Sequence, residues 1–239
     1  MRKIAGIMGG MGPWATLELY KRILNNTEAK KDQEHLHLII DNNTKVPDRT
    51  DYILGKKDKS PLPFLMESAM KLQLNGADLL AMPCNTAHFF YEEIKEYIQI
   101  EFINMIQETA REVKNLNFVD YNICLLATSG TYQSEIYQEY FSREGLDLFI
   151  PDKEEQEIIN STIYQIKKFD KIKDKGTMNQ LLSELEGKGA ELFITGCTEL
   201  SFVNDYFERV NYIDPLDVLV QRVINFMKEE SSWLSRKSL

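Results

Sequence analysis

The segment NGADLLAMPCNT (75–86) aligns without gaps with KGAELFITGCTE (188–199), at an offset of 113 residues. Both run glycine-alanine-acidic, four mostly apolar residues, one small or proline residue, then cysteine. A weaker echo relates IAGIMGGMGP (4–13) to ICLLATSGT (123–131), each a strand-like run entering a turn of small residues. A chain that repeats its strand-and-turn units in this way is expected to fold as two related halves facing each other across a cleft.

Apolar runs of strand length alternate with helix-period segments, which predicts an α/β fold of two pseudo-symmetric, doubly wound domains with mostly parallel sheets. Strands are expected at 3–8, 35–41, 77–82, 122–127, 146–150, 190–195 and 212–214. Helices are expected to carry Trp14, Leu17 and Leu24; Leu65, Ala69 and Leu72; Phe90, Ile94 and Ile98; Ile159, Ile163 and Ile166 within 154–169; and a last helix from Pro215 to about Met227. NNTKVPDRTD (42–51) reads as a polar loop and EESSWLSRKSL (229–239) as a frayed tail. The domains drawn from this pattern are 1–104 plus 210–239, and 105–209.

With 239 residues, 28 Lys+Arg and 37 Asp+Glu, the chain carries a net charge of −9 and has no basic run. That is the wrong footprint for nucleic acid, whose binding rests on cations that neutralise phosphate. An acidic small substrate stays compatible with it, because a few cations inside a cleft dominate the local field. Three cysteines with no CxxC pair, and three histidines, argue against both a disulfide framework and a zinc site. The apolar start is broken by glycine well short of a signal-peptide core and no stretch approaches a membrane span, so the cytoplasm is the expected compartment.

Cys84 and Cys197 each follow a strand at its carboxyl end, the edge where open α/β sheets place ligands. Either one alone reads equally as a small buried hydrophobe; as a pair in equivalent positions they suggest two thiols facing across the cleft. A helix N-terminus beside each is expected to lower its pKa from about 8.5. Two like groups in opposite protonation states are what inversion of a stereocentre needs: one takes a proton from one face and the other delivers a proton to the opposite face. A cysteine hydrolase using His88, four residues from Cys84, leaves the second cysteine unexplained. Cys124, in mid-strand, reads as core.

Arg49 in VPDRTD stands on the ligand edge, where a guanidinium suits bidentate carboxylate binding; the alternative is a surface arginine paired with Asp48 or Asp51. GGMGP (9–13) fits neither GxGxxG nor a P-loop. It reads as a tight strand-to-helix turn whose amides are able to hold a carboxylate. Lys167 and Lys168 end a helix, where lysines ordinarily complement the dipole. Thr86, Thr128, Thr131 and Thr198 are caps by default, or hydroxyls that orient a ligand beside the cysteines.

GGMGP (9–13), VPDRT (46–50), MPCNTAH (82–88), LLATSGT (125–131), GCTE (196–199) and IDPLDV (213–218) together resemble the cofactor-independent aspartate/glutamate racemases, the aspartate racemases most closely. The resemblance spans nearly the whole chain. It implies a homodimer of two pseudo-symmetric domains without pyridoxal phosphate, with Cys84 and Cys197 as acid/base thiols. It also implies that Arg49 and a lysine bind the side-chain carboxylate. Counting from the EEQ motif selects Lys168 and counting back from GCTE selects Lys167; we take Lys168. Met11, Gly12, Asn85, Thr86, Thr128, Thr131, Thr198 and Glu199 complete the expected substrate site. The activity expected is interconversion of L- and D-aspartate. A racemase of glutamate or of broader acidic specificity is the near alternative, and a non-catalytic metabolite-binding module the alternative from another class.

Overall fold

The computed structural model describes residues 3–118, 120–169, 175–203, 207 and 209–228. The tail at 229–239 lies outside them. Four strands, β1 (Ile4–Gly9), β2 (His37–Asn42), β3 (Leu79–Ala81) and β4 (Glu101–Phe102), form one sheet in the order β2-β1-β3-β4. Four more, β5 (Ile123–Ala127), β6 (Leu148–Phe149), β7 (Leu192–Gly196) and β8 (Tyr212–Ile213), form a second in the order β6-β5-β7-β8. Every pairing is parallel. The two orders are the same pattern written twice, as the 113-residue repeat requires: Leu79 opens β3 and Leu192 opens β7.

Period-2 alternation explains why each sheet needs cover on both faces. Met8, Leu80 and Met82 face α3 (Leu62–Leu74) and α4 (Tyr91–Lys95), while Ala5, Ile7, Leu79 and Ala81 face α1 (Pro13–Asn26) and α10 (Pro215–Lys228). In the second sheet Cys124, Leu126 and Phe193 face α8 (Lys153–Phe169) and α9 (Lys175–Gly187). Ile123, Leu125, Leu192 and Ile194 face α5 (Met105–Asn115) and α7 (Ile136–Arg143), with α6 (Ser129–Ser134) just before α7. The helix α10 buries Leu216, Leu219, Val220, Val223 and Ile224, each worth about 1.5–3 kcal/mol of transfer free energy when fully buried.

Two expectations need correction. Trp14 and Leu17 do not face the core: they are 55% and 52% exposed. The buried side of α1 is Ala15, Thr16, Leu19, Arg22 and Ile23. Arg22 tolerates burial because it donates to Asp214 Oδ2 (2.6 Å), Asp217 Oδ1 (2.7 Å) and the Ser201 carbonyl (2.8 Å), partners far away in sequence. Second, the polar loop ends in a short helix, α2 (Arg49–Ile53), which Asp48 caps by accepting from Asp51 N–H at 2.9 Å.

Candidate active site

Cys84 and Cys197 leave equivalent strands, β3 and β7, and line one small cavity. Neither is followed directly by an α-helix: a 3-10 turn follows each, Thr86–Phe90 after Cys84 and Leu200–Phe202 after Cys197. The expected helix-dipole lowering fails for Cys197, whose pKa is raised well above the ordinary thiol value. Burial is the main cause and Glu199 the next, and neighbouring Lys167 only partly offsets them. Cys197 Sγ–H donates to Glu199 Oε2 at 2.9 Å. Cys124 is fully buried in its sheet, and burial likewise pushes its thiol up.

Arg49, the first residue of α2, is only 9% exposed. It donates to the carbonyls of Pro47 (3.1 Å) and Met11 (3.2 Å), and its Nε is buried without a partner. Among the described residues no carboxylate pairs with it; Asp48 is occupied as the cap of α2. Burial works against its charge, but the adjacent Cys84 sulfur, within hydrogen-bond reach, and Asp48 outweigh that and raise its pKa. The two sulfurs therefore sit in opposite fields, Cys84 beside a cation and Cys197 beside a carboxylate.

Lys167 lines the same cavity, with Nζ 4.0 Å from Glu199 Oε1. Burial opposes its charge as well, and Glu199 and Cys197 more than compensate, raising its pKa. Lys168 is exposed on α8 and is not among the cavity residues. Met11, Asn85, Thr86, Thr198 and Glu199 line the cavity, and Gly12 lines a wider one that shares Met11, Asp48, Arg49, Lys167 and Glu199 with it. The inner cavity is about 10 Å³, room for about one water, and the outer one about 350 Å³, walled by Val46, Ile166, Phe202 and Trp14.

Thr128 and Thr131 stand one layer behind. Their hydroxyls bond each other (3.1 Å) and Thr86 (3.1 and 2.9 Å), and Thr50 donates to Thr128 at 3.3 Å. This hydroxyl cluster stitches the two halves together, and Gly130 makes the approach possible: a Cβ there would lie 2.7 Å from the Thr50 Cα. In the GGMGP turn, Gly10 has φ +92° and presses on the Asn43 backbone, so only glycine fits.

Met105 N–H donates to His88 Nε2 at 3.1 Å, so the ring proton is on Nδ1 and is donated to the Cys84 carbonyl at 2.8 Å. Burial lowers the His88 pKa to about 4. A neutral ring with both nitrogens on backbone is a brace for the Cys84 loop, which removes the support for a cysteine hydrolase. Among the described residues no cluster of three or more His, Cys, Asp or Glu is placed to hold a metal, and no helix is long and apolar enough to cross a membrane.

Two doubly covered parallel sheets with a thiol at equivalent edges of each define an α/β enzyme of a two-halved kind. The chain belongs to the Asp/Glu/Hydantoin racemase family, whose model matches residues 8–223, and it is an isomerase of the amino-acid racemase type. It is 28% identical over 207 residues to a broad specificity amino-acid racemase of Bacillus subtilis, covering 85% of this chain and 88% of that one. The solved aspartate racemase of Picrophilus torridus superposes with a TM-score of 0.84 at 27% identity, covering 99% of this chain and 100% of that one. An aspartate racemase homologue from Pyrococcus horikoshii gives 0.76 at 26% identity, covering 96% and 100%.

Proposed function

We propose that this enzyme interconverts L- and D-aspartate with Cys84 and Cys197 as its acid/base pair and no cofactor. The observation that carries the reading is Arg49: a buried guanidinium with no carboxylate partner among the described residues, on the wall of the cavity that holds both thiols. A buried cation is costly unless paired, and an acidic substrate supplies the pair. The β-carboxylate rests on Arg49 and Lys167, the latter replacing Lys168 because of where α8 turns it.

One sulfur, as thiolate, takes the α-proton: the C–H bond breaks, S–H forms and the electron pair spreads into the α-carboxylate. The opposite S–H then gives its proton to the other face of the same carbon, leaving the inverted amino acid and the two sulfurs with exchanged protonation. The opposite charges of Arg49 and Glu199 suit two identical groups to these unlike tasks. The inner cavity is too small for an amino acid, so substrate enters from the outer one as the halves part. The size of that outer chamber, and the Bacillus subtilis relative, favour a second reading in which longer side chains are also accepted.

The division into 1–104 plus 210–239 and 105–209 follows the repeat; α10 supports it by packing on α1, β1 and β3, while its other side lies against α5 of the second half. The same reading makes the enzyme a homodimer, which sedimentation velocity tests. A chiral assay against aspartate and glutamate with no added cofactor tests the activity. Cys84→Ala and Cys197→Ala should each abolish turnover in both directions. In heavy water the product enantiomer should take up deuterium early while recovered substrate stays protium; equal early labelling of both would defeat the two-thiol mechanism.

A further inference from the structure

The break between α6 and α7 falls at Glu135, which adopts φ 55°, and this turn delivers Tyr137 into the first turn of α7. Tyr137 is fully buried and its hydroxyl donates to Asn85 Oδ1 at 2.6 Å. The bond crosses between halves: Asn85 follows Cys84 beyond β3, while Tyr137 packs under the second sheet. A side-chain amide is rigid, with an acceptor on one arm and two donors on the other. With the oxygen taken by Tyr137, the nitrogen is fixed on the other side. Asn85 Nδ2 is buried without a partner, and Asn85 lines the cavity shared by Cys84, Arg49 and Cys197. Thr86, the next residue, shares its hydroxyl with Thr128 and Thr131.

We propose that Tyr137 is a positioning residue, holding the Asn85 amide with its nitrogen toward the substrate so that N–H donates to the α-carboxylate oxygen on which charge collects as the α-proton leaves. This rests on the racemase reading above. The α-carboxylate carries one negative charge in the bound substrate and gains the C–H electron pair at the transition state, so a fixed donor there strengthens as the reaction proceeds. Without the phenol hydroxyl the amide is free to turn, and in the turned state its oxygen meets the carboxylate with the wrong sign. The effect therefore belongs to kcat rather than KM.

Tyr137→Phe keeps the ring and removes only the hydroxyl. Its kcat for aspartate should fall about tenfold or more with KM changed less than about twofold, and Asn85→Ala should fall about 10²–10³-fold. The double variant should be no slower than Asn85→Ala alone, since both act through one amide. A Tyr137→Phe enzyme with the wild-type kcat, or a double variant whose loss is the product of the two single losses, overturns the inference. A merely structural role would lower the melting temperature and leave kcat per folded enzyme unchanged. Should Tyr137→Phe not fold, the wild-type enzyme labelled with 15N-asparagine gives a second readout: the Asn85 side-chain amide signal, assigned by its loss in Asn85→Ala, should move on adding aspartate, and a signal that stays put overturns the inference. A wild-type enzyme that racemises no acidic amino acid removes the functional reading itself; an active wild type unaffected by Tyr137→Phe removes this inference alone.

Discussion

Cys197 Sγ donates to Glu199 Oε2 at 2.9 Å, within one turn of the chain, so the thiol proton is held by a carboxylate that itself reaches toward Lys167. Burial first, and this carboxylate second, keep the Cys197 pKa high. Replacing Glu199 by Gln removes the negative charge and keeps the size, so Cys197 ionises more readily. Alkylation of Cys197 by iodoacetamide at pH 8 should be faster in Glu199→Gln than in the wild type, followed by mass spectrometry of the labelled peptide. An unchanged rate would show that Glu199 does not control this thiol.

Arg49→Leu separates function from stability. Binding of an acidic substrate should weaken by several kcal/mol, because a buried carboxylate loses its ion pair. The free protein should lose no more than about 1 kcal/mol in urea denaturation, since the two bonds to carbonyls and the contact with the Cys84 sulfur are offset by the disappearance of a buried charge. A variant that racemises aspartate with wild-type efficiency would reduce Arg49 to a bystander.

His88 makes the fold acid-sensitive within a defined window. Its folded pKa of about 4 lies below the ordinary 6.5. Between these values the unfolded chain binds a proton that the folded one refuses. This contribution to stability is therefore fully present above pH 6.5 and is lost as pH falls to about 4, amounting to about 3 kcal/mol. Urea melts from pH 7 to 4 should show the decline, and His88→Gln should flatten it; an equally steep decline in the variant would assign the acid sensitivity elsewhere.

Gly130→Ala tests the seam between the halves. The added Cβ would meet the Thr50 backbone at 2.7 Å, which cannot be relieved by a side-chain rotation. Overpacking of this kind costs about 1–3 kcal/mol, and the Thr50–Thr128 bond should go with it. A melting temperature equal to that of the wild type would mean that the halves have room to shift.

The repeat made the duplicated sheet order and the two cysteine edges legible, because strand, turn and cysteine lie within twelve contiguous residues. Lys167 was also legible in principle. It lies four residues after Ile163 and one after Ile166, at the edge of the buried stripe, while Lys168 is turned a further 100° toward solvent. Asp48 before Arg49, with Asp51 three further on, was the capping signal for α2, but five residues show no apolar period. Trp14 and Leu17 mislead because apolar residues ordinarily mark a helix's inner face. Arg22 occupies that face through Asp214, 192 residues away. Tyr137 carried no local signal at all: its meaning lies in Asn85, 52 residues earlier. The 3-10 turns after the cysteines, where helix starts were expected, show that a strand-end position can be read without the geometry that follows it.

The helix that seals one face of the first sheet is α10, which belongs to the far end of the chain. On the ribosome, Ala5, Ile7, Leu79 and Ala81 emerge early, and α1 covers only part of their face until Leu216 to Ile224 follow. The strands of the second sheet, β5 to β8, are contiguous in sequence and complete before α10 appears. The last helix to be made is therefore the one on which both halves close, since α10 also lies against α5 of the second half.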